Sequence, residues 1–347
     1  VLIAESASEL QSCAQAIEGQ GGQLLFAEAS GLLMTDLDAA EVRCEATAVA
    51  NTVSSEKKAT KRSSKLTRKD LNRALKFIPA EEIGARSFIK KYPKYDGRGV
   101  QVAIVDTGLE LNHPLLDKTP SGERKIVDIH DFTGAGRLEL IKVAPGDVKS
   151  DKVEILKSEY SIKGLNGTDL HIGVFEGSTL TLDNNAEEKK YQDIGVVAYS
   201  RDSKRYVRVD TNADKSFEDE TELSDYKEKG QFVLLGSEKN LSAGVKFGKE
   251  YGDVTLVFDD GGHGTHVAGI TAGYDPNGLQ GVAPGAQLLG LKLGDSRLAG
   301  GSTTLASKML AMAYAAEQGA QVVNVSYGIF PGTGAGRSTI DRYVNKL

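Results

Sequence analysis

Apolar and polar positions in residues 1–56 follow a strand, helix, hairpin, helix and strand order. The predicted elements are residues 1–4, 8–18, 23–27 with 31–35, 38–46 and 48–53. A βαββαβ order of this kind is typical of a ferredoxin-like fold. The pattern therefore predicts a small α+β domain at residues 1–56.

Buried apolar runs separated by helical periods characterise the later part of the chain. The predicted elements are a strand at 100–105, a helix that begins at His263, a strand at 286–293, a helix at 302–318 and a strand at 320–326. In the helix at 302–318, the apolar side includes Ala306, Leu310 and Ala313. Since strands that alternate with helices form parallel sheets, the predicted fold class is α/β with a doubly wound parallel sheet.

Between these segments, short runs of alternating polarity separated by turn residues predict many further strands. They lie at residues 125–129, 138–143, 152–156, 170–175, 179–182, 194–200, 206–210, 232–235, 243–247 and 254–258. Asp106 and His263 are separated by 156 residues, and a structureless loop of that length does not fit a compact domain. We therefore predict a β-rich insertion at residues 118–255 within an α/β domain formed by residues 85–117 and 256–347.

The segment between the two domains is dominated by positive charge. Residues 54–70 carry seven Lys or Arg side chains and two acids, with almost nothing apolar, so this run cannot bury itself. Residues 57–84 are predicted to form a basic linker and a helix. A nucleic-acid-binding tail is the alternative, but the run is short and lacks aromatic side chains that stack on bases.

Composition restricts the class of protein. A chain of 347 residues with 40% apolar content can fill a sizeable core. The 42 basic and 48 acidic residues give a net charge of −6, which argues against nucleic acid as the main partner. No uninterrupted apolar run reaches the length of about 18 residues that a membrane span requires. We therefore predict no membrane span and no nucleic-acid partner.

Two side chains stand where catalytic groups are commonly found. Asp106 ends a buried strand, and the carboxyl ends of strands are where ligands collect in α/β sheets. His263 follows a glycine pair at a loop-to-helix junction, and histidine can take and return a proton near neutral pH. Taken alone, Asp106 could cap a helix and His263 could be structural. A zinc site with His266 is a further alternative, although the spacing lacks the His-Glu-x-x-His pattern.

The motifs around these two residues resemble those of the subtilisin-like serine proteases. The matching segments are Val105-Asp106-Thr107-Gly108 with His113-Pro114, His263-Gly264-Thr265-His266-Val267-Ala268-Gly269 and Gly281-Val282-Ala283-Pro284-Gly285-Ala286. The segments at 291–298 and 323–328 are similar to a branch of the family with a long insertion between the aspartate and the histidine. The resemblance covers residues from about 85 to 117 and from about 250 to 347.

The resemblance implies a serine peptidase that hydrolyses peptide or protein substrates by Asp/His/Ser catalysis. Asp106 would orient His263, which would act as general base and then as general acid. The sequence contains no Gly-Thr-Ser-Met-Ala-like motif and no oxyanion-hole asparagine on a further strand. We therefore expect the serine to come from the remaining C-terminal part of the protease domain, beyond residue 347 or in a second chain. The chain alone is expected to be inactive, and the reaction requires no cofactor.

The resemblance also implies where substrate and inhibitor bind. Leu298, Ala299 and Gly300 are expected to lie along one side of an extended substrate backbone, with ordinary loops as the alternative. The other side is expected to be formed by Ser326, Tyr327 and Gly328. Residues 1–56 resemble a propeptide, which would act as a folding template and as the protein's own inhibitor.

The resulting prediction is an endopeptidase zymogen that is secreted or periplasmic after removal of a leader. A cytoplasmic location is the alternative. For the function, the alternatives are a pseudoprotease or binding scaffold without a catalytic serine, and an exopeptidase that releases tripeptides.

Two smaller predictions concern metal binding and cysteines. Asp210, Asn212 and Asp214 place oxygen atoms at alternate positions, as calcium loops do, which makes a structural calcium ion a candidate. A solvated acidic turn is the alternative, because Lys215 stands where an EF-hand has glycine. Cys13 and Cys44 fall on the two helices predicted in residues 1–56, and we expect a disulfide between them if the protein is exported.

Overall fold

The chain forms two compact units, Val1–Lys65 and Leu66–Leu347. The computed structural model describes residues 2–3, 24–27, 32–35, 47–48, 80, 82–177, 192–236, 241–276, 278–294, 303–328, 343–344 and 346. Within these residues, no helix is both long enough and apolar enough to cross a membrane.

The first unit contains a small antiparallel sheet. Its strands are β1 (Leu2–Ile3), β2 (Leu24–Ala27), β3 (Leu32–Thr35) and β4 (Thr47–Ala48). The strand order β2-β3-β1-β4, with every neighbouring pair antiparallel, is that of a ferredoxin-like sheet. The helices predicted at 8–18 and 38–46, together with Cys13 and Cys44, lie outside the described residues.

The second unit contains most of the described secondary structure. Its helices are α1 (Ala85–Lys91), α2 (Tyr226–Lys229), α3 (His263–Ala272) and α4 (Leu305–Glu317), with 3₁₀ turns at Pro114–Leu116 and Pro145–Asp147. Its strands are β5 (Gln101–Asp106), β6 (Ile126–Asp131), β7 (Arg137–Glu139), β8 (Ile141–Lys142), β9 (Lys152–Ile155), β10 (Ser158–Ser161), β11 (Thr168–Phe175), β12 (Ile194–Arg201), β13 (Lys204–Val209), β14 (Phe232–Leu235), β15 (Leu241–Phe247), β16 (Asp253–Phe258), β17 (Gln287–Lys292) and β18 (Val322–Val325).

A parallel sheet with helices on both faces forms the centre of this unit. The strand order is β18-β5-β17-β6, and each neighbouring pair is parallel. Ile104 and Leu288 pack with Ala268 of α3 on one face of the sheet. Leu291 packs with Ala311 of α4 on the other face. Because the strands of this sheet are buried on both faces, their sequences are nearly continuous apolar runs. This arrangement confirms the predicted doubly wound α/β fold.

The insertion is rich in β-structure, as the alternation of polarity predicted. One antiparallel sheet has the order β14-β15-β16-β7, a second has the order β13-β12-β11-β8, and β9 pairs with β10 as a hairpin. Side chains of both four-stranded sheets share a large apolar core that includes Val196, Leu235 and Leu256. The strand predicted at 179–182 lies outside the described residues. We call the part from β7 to β16 the β-rich lobe.

The β-rich lobe begins and ends side by side. β7, its first strand, pairs antiparallel with β16, its last strand, and Val254 lies opposite Leu138. The lobe therefore leaves the α/β core and returns to it at neighbouring positions.

One predicted strand belongs to a different sheet from the one that the sequence suggested. The sequence pattern predicts that residues 125–129 belong to the insertion, whereas β6 (Ile126–Asp131) pairs with β17 at the edge of the parallel sheet. A short run with buried Ile126 and Ile129 predicts a strand but carries no information about its partner. The lobe therefore starts after Asp131.

Helix α4 occurs where it was predicted, but it buries a different face. Its buried residues are Lys308, Ala311 and Ala315, whereas Leu310 is 58% exposed. The helix is apolar nearly all round, so its sequence does not fix which side faces the sheet. The predicted apolar side that included Ala306, Leu310 and Ala313 is therefore wrong.

Candidate active site

Asp106 and His263 meet at the carboxyl end of the parallel sheet. Asp106 is the last residue of β5, and His263 is the first residue of α3. The Nδ1 atom of His263 lies 2.7 Å from Oδ1 of Asp106, within hydrogen-bond distance. The Asp106 side chain is buried, whereas the His263 side chain is 51% exposed. The carboxylate thus fixes the orientation of the imidazole and leaves its other nitrogen for a substrate or a nucleophile.

Glycines allow the strand end and the helix start to approach closely. A Cβ atom at position 264 would lie 2.2 Å from the carbonyl oxygen of Gly108 and 3.0 Å from Cβ of Asp106. The first distance is too short for any real Cβ atom and the second is tight, so a side chain at position 264 would push α3 away from β5. Gly264 is therefore required for the contact between Asp106 and His263.

A second carboxylate, Asp259, ties the same two segments together. It accepts hydrogen bonds from the Thr107 hydroxyl at 2.8 Å and from the Gly262 and Thr265 backbone N–H groups at 2.8 and 3.2 Å. Gly262, the residue before α3, has no side chain to cap the helix, so Asp259 takes that role. The Thr107 hydroxyl in turn accepts a hydrogen bond from the backbone N–H of Gly264.

A buried ion pair lies directly beneath this loop. Lys292 ends β17 opposite Asp106 and is fully buried with Asp260, whose carboxylate accepts a hydrogen bond from Nζ of Lys292. The same ammonium group donates a hydrogen bond to the carbonyl oxygen of Thr107 at 2.8 Å. Lys292 therefore holds the backbone of the residue that follows Asp106.

Two features of the sequence point to these supporting residues, which were not among the predicted site residues. Lys292 is the one charged residue in the apolar segment at 286–293, and a charge in a buried strand requires a buried partner. Asp259 and Asp260 directly precede the glycine pair. The sequence does not show which groups donate hydrogen bonds to these carboxylates, because the donors are set by the fold of the loop.

Tyr327 lies beside the imidazole of His263. The two ring centroids are 6.2 Å apart, and the rings are nearly perpendicular. Burial, reinforced by the carboxylates of Asp106, Asp259 and Asp260, raises the pKa of Tyr327 to about 12. The phenol therefore stays neutral at physiological pH and can pack against the imidazole without adding charge.

The predicted substrate-binding residues are described in part. Ser326, Tyr327 and Gly328 follow β18, whose parallel pairing with β5 places them at the same end of the sheet as Asp106. Nζ of Lys308 donates a hydrogen bond to the Tyr327 carbonyl at 2.8 Å. Ser326 and Gly328 are exposed, whereas Tyr327 between them is partly buried. Leu298, Ala299 and Gly300 lie outside the described residues.

The candidate calcium loop is held by hydrogen bonds within the chain. Asp210 accepts hydrogen bonds from the backbone N–H groups of Asp214 and Lys215 at 3.2 and 3.0 Å, and Asn212 accepts another from Asp214 at 3.1 Å. Burial raises the pKa of the Asp210 carboxyl group. Over the described ranges, no group of three or more His, Cys, Asp or Glu side chains is arranged to hold a metal ion. Calcium at Asp210, Asn212 and Asp214 stays a prediction.

Comparison with known proteins agrees with this geometry. The sequence profile of the Subtilase family, peptidase S8, matches residues 97–346. Pyrolysin from Pyrococcus furiosus is 28% identical over 309 residues, which cover 71% of this chain and 22% of pyrolysin. Tripeptidyl-peptidase 2 from Oryza sativa subsp. japonica is 29% identical over 333 residues, covering 72% of this chain and 24% of that protein.

The fold also resembles a solved structure. The crystal structure of tripeptidyl peptidase 2 superposes with a TM-score of 0.54 at 20% identity, over 70% of this chain and 24% of that one. The chain thus spans about a quarter of the length of these relatives. The family profile covers most of the second unit, including both Asp106 and His263. The chain therefore belongs to the Subtilase family of subtilisin-type serine peptidases.

Proposed function

We propose that the protein hydrolyses peptide bonds through a serine acyl-enzyme, with Asp106 and His263 as two members of the catalytic triad. The observation that carries this proposal is the 2.7 Å contact between Nδ1 of His263 and Oδ1 of Asp106. In this arrangement His263 takes the proton of the serine hydroxyl during attack and returns it to the leaving amine. Asp106 holds the imidazole in position and stabilises the imidazolium that forms.

The serine and the oxyanion-hole donor are proposed to come from a part of the protein outside residues 1–347. The outer edge of β18 supports this proposal, because Val322 and Val323 are 49% and 39% exposed there. Among the described strands, β18 pairs only with β5, and natural proteins normally cover an apolar edge strand of this kind. A further strand of the protease domain paired with β18 would cover it and would lead the serine to the same end of the sheet.

An extended substrate is proposed to pair with the backbone of Ser326 and Gly328. The exposure of Ser326 and Gly328 at the carboxyl end of β18 supports this proposal, whereas the Tyr327 carbonyl already accepts a hydrogen bond from Lys308. Pairing of this kind recognises main-chain groups and tolerates many side chains. Leu298, Ala299 and Gly300 are proposed to pair with the opposite side of the same substrate.

We propose that residues 1–56 act as a propeptide, and that cleavage in the basic run at residues 54–70 releases the mature enzyme. The ferredoxin-like strand order of β1 to β4 supports this proposal. A globular inhibitor joined to the protease by an exposed charged segment can remain bound until that segment is cut.

Reaction with a fluorophosphonate probe tests the proposed activity. The full-length protein is expected to be labelled on a serine, and His263→Ala should reduce labelling below detection, since loss of the base in such triads costs about 10⁶ in kcat. His266→Ala is the matched control, because His266 lies one turn further along α3 and is exposed. Labelling that survives His263→Ala, or that is absent from the unaltered protein, would refute the proposal and favour a binding scaffold.

The proposed chemistry can serve two modes of peptide hydrolysis, cleavage within a chain and release of tripeptides from its amino terminus. We propose an endopeptidase as the first candidate, and an exopeptidase that releases tripeptides as the second, because the plant relative is named tripeptidyl-peptidase 2. A reporter tripeptide with a free amino terminus and the same peptide with a blocked amino terminus distinguish them. An endopeptidase cleaves within a longer blocked peptide, whereas an exopeptidase requires the free terminus.

A further inference from the structure

A basic cavity of about 680 Å³ lies in the β-rich lobe, and none of its lining residues belongs to the candidate active site. Three elements meet around it: the turn between β12 and β13, helix α2, and the turn between β15 and β16. Five cationic side chains line it: Lys204, Arg205, Lys227, Lys246 and Lys249. The acidic lining residues are Asp225 and Glu228. The protein has a net charge of −6, so this concentration of positive charge is local.

One of the five cations is neutralised within the protein. Lys246 is 11% exposed and pairs with Asp128 at 3.0 Å and Asp225 at 2.8 Å. Since Asp128 belongs to β6 and Asp225 caps α2, this ammonium group joins the lobe to the parallel sheet. Its charge is therefore used in holding the structure together.

The other four cations have no carboxylate partner among the described residues. Lys227 donates to the neutral side chain of Gln318, and Arg205 donates to the backbone carbonyl of Glu250 at 3.1 Å. Lys204 and Lys249 are exposed at the cavity wall. With Asp225 already paired, Glu228 is the remaining carboxylate on the wall. Mutual repulsion of four cations in one concave site favours the binding of an anion there.

Arg205 is held in place before any ligand arrives. Its guanidinium carbon lies 4.5 Å from the ring centroid of Phe247 and 5.7 Å from that of Tyr251. Stacking on two rings, together with the hydrogen bond to Glu250, restricts the side chain, so less entropy is lost when it binds a ligand. The guanidinium group presents its remaining N–H donors in a fixed geometry that suits phosphate oxygens.

We propose that this cavity binds an oligophosphate group, either as free polyphosphate or as part of a nucleotide. Linked phosphates carry several negative charges within a small volume, which matches one guanidinium and three ammonium groups around a single cavity. The volume lies within the range of about 300–1,000 Å³ that is usual for small-molecule sites. An acidic polypeptide would instead spread its charges along an extended backbone. Oligophosphate binding would link the two turns to α2 and stabilise the lobe against the protease core.

Isothermal titration of the full-length protein at low ionic strength, without divalent cations, tests the proposal. Tripolyphosphate and ATP are expected to bind at one site with an affinity that falls as salt is added, and adenosine is expected not to bind. Equal affinity for tripolyphosphate and ATP would show that the phosphates alone are recognised. Tighter binding of ATP would show that the nucleoside also contributes.

A charge-matched pair of double variants locates the site. Lys204→Gln with Lys249→Gln should weaken tripolyphosphate binding roughly tenfold or more, because two charge-assisted hydrogen bonds are lost. Lys152→Gln with Lys163→Gln changes the net charge equally but alters exposed side chains that pair elsewhere, with Glu159 and Glu218. That control should bind as the unaltered protein does, and equal melting temperatures for both variants would verify their folding.

Several outcomes would overturn the proposal. These are the absence of saturable binding, equal losses in the two double variants, binding of adenosine, and tighter binding of oligoglutamate than of tripolyphosphate. The last result would assign the cavity to an acidic polypeptide. None of them depends on peptidase activity, so the proposal stands or falls separately from the proposed function.

Discussion

Replacing Asp106 with asparagine is expected to lower kcat for peptide hydrolysis by about 10⁴, with little change in KM. Asparagine has nearly the same shape and retains an oxygen that can accept from His263 and from the backbone N–H of Thr107, which lies 2.8 Å from Oδ1 of Asp106. It lacks the negative charge that, in the proposed mechanism, stabilises the imidazolium formed when His263 takes the proton of the serine. The measurement is steady-state hydrolysis of a peptide substrate by the full-length protein.

The control for this substitution is Asp117→Asn, which makes the same change at an exposed carboxylate close in sequence. It should leave kcat unchanged. Melting temperatures of both variants would show whether either has altered the fold. Near-normal kcat in a folded Asp106→Asn protein would mean that the carboxylate contributes no more than packing, and the assigned role of Asp106 would be wrong.

The second large effect concerns the ion pair beneath the active-site loop. Lys292→Met leaves the carboxylate of Asp260 buried without its cation, and breaking a buried pair in this way typically costs about 3–5 kcal/mol of unfolding free energy. For a domain of this size that is a fall in melting temperature of roughly 10 °C. The substitution also removes the hydrogen bond to the Thr107 carbonyl, so kcat should fall together with stability.

A double variant separates the effect on stability from the effect on kcat. In Lys292→Met with Asp260→Leu neither charge remains, so most of the lost stability should return, within about 1–2 kcal/mol of the unaltered protein. Lys152→Met, at an exposed pair with Glu159, should change stability by less than about 1 kcal/mol. If Lys292→Met proves as mild as Lys152→Met, the pair does not support the loop.

The sequence was sufficient to predict those site residues whose positions follow from the local order of apolar, glycine and polar residues. A strand that closes on Asp106, and a glycine-led helix that begins at His263, are visible in the order of residues, and their pairing followed from the resemblance to one family. The structure brings these two side chains into contact. The alternation of polarity also predicted the β-rich insertion, because most of its strands place apolar side chains in one of two buried cores.

Other features depend on contacts between distant segments and could not be predicted in the same way. β6 was recognised as a strand but assigned to the wrong sheet, because strand propensity does not specify a partner. Helix α4 is apolar on most sides, so the spacing of its apolar residues did not reveal its buried face. Lys308 lies on that face and donates a hydrogen bond to the Tyr327 carbonyl. The role of Asp259 arises from backbone donors that converge only after the loop has folded.

The adjacent ends of the β-rich lobe have a consequence for folding kinetics. β7 and β16 are hydrogen-bonded neighbours, so their backbones are separated by about 4.8 Å, as in any sheet. While the lobe is unfolded, bringing β17 beside β5 requires closure of a flexible chain segment of more than 180 residues, as between Asp106 and Lys292. Once the lobe has folded, its residues no longer contribute to the entropy of that closure, and the effective contact order of the protease core is that of a much shorter chain. We therefore expect the lobe to fold early, and the core to fold at a rate that hardly depends on how many residues the lobe contains.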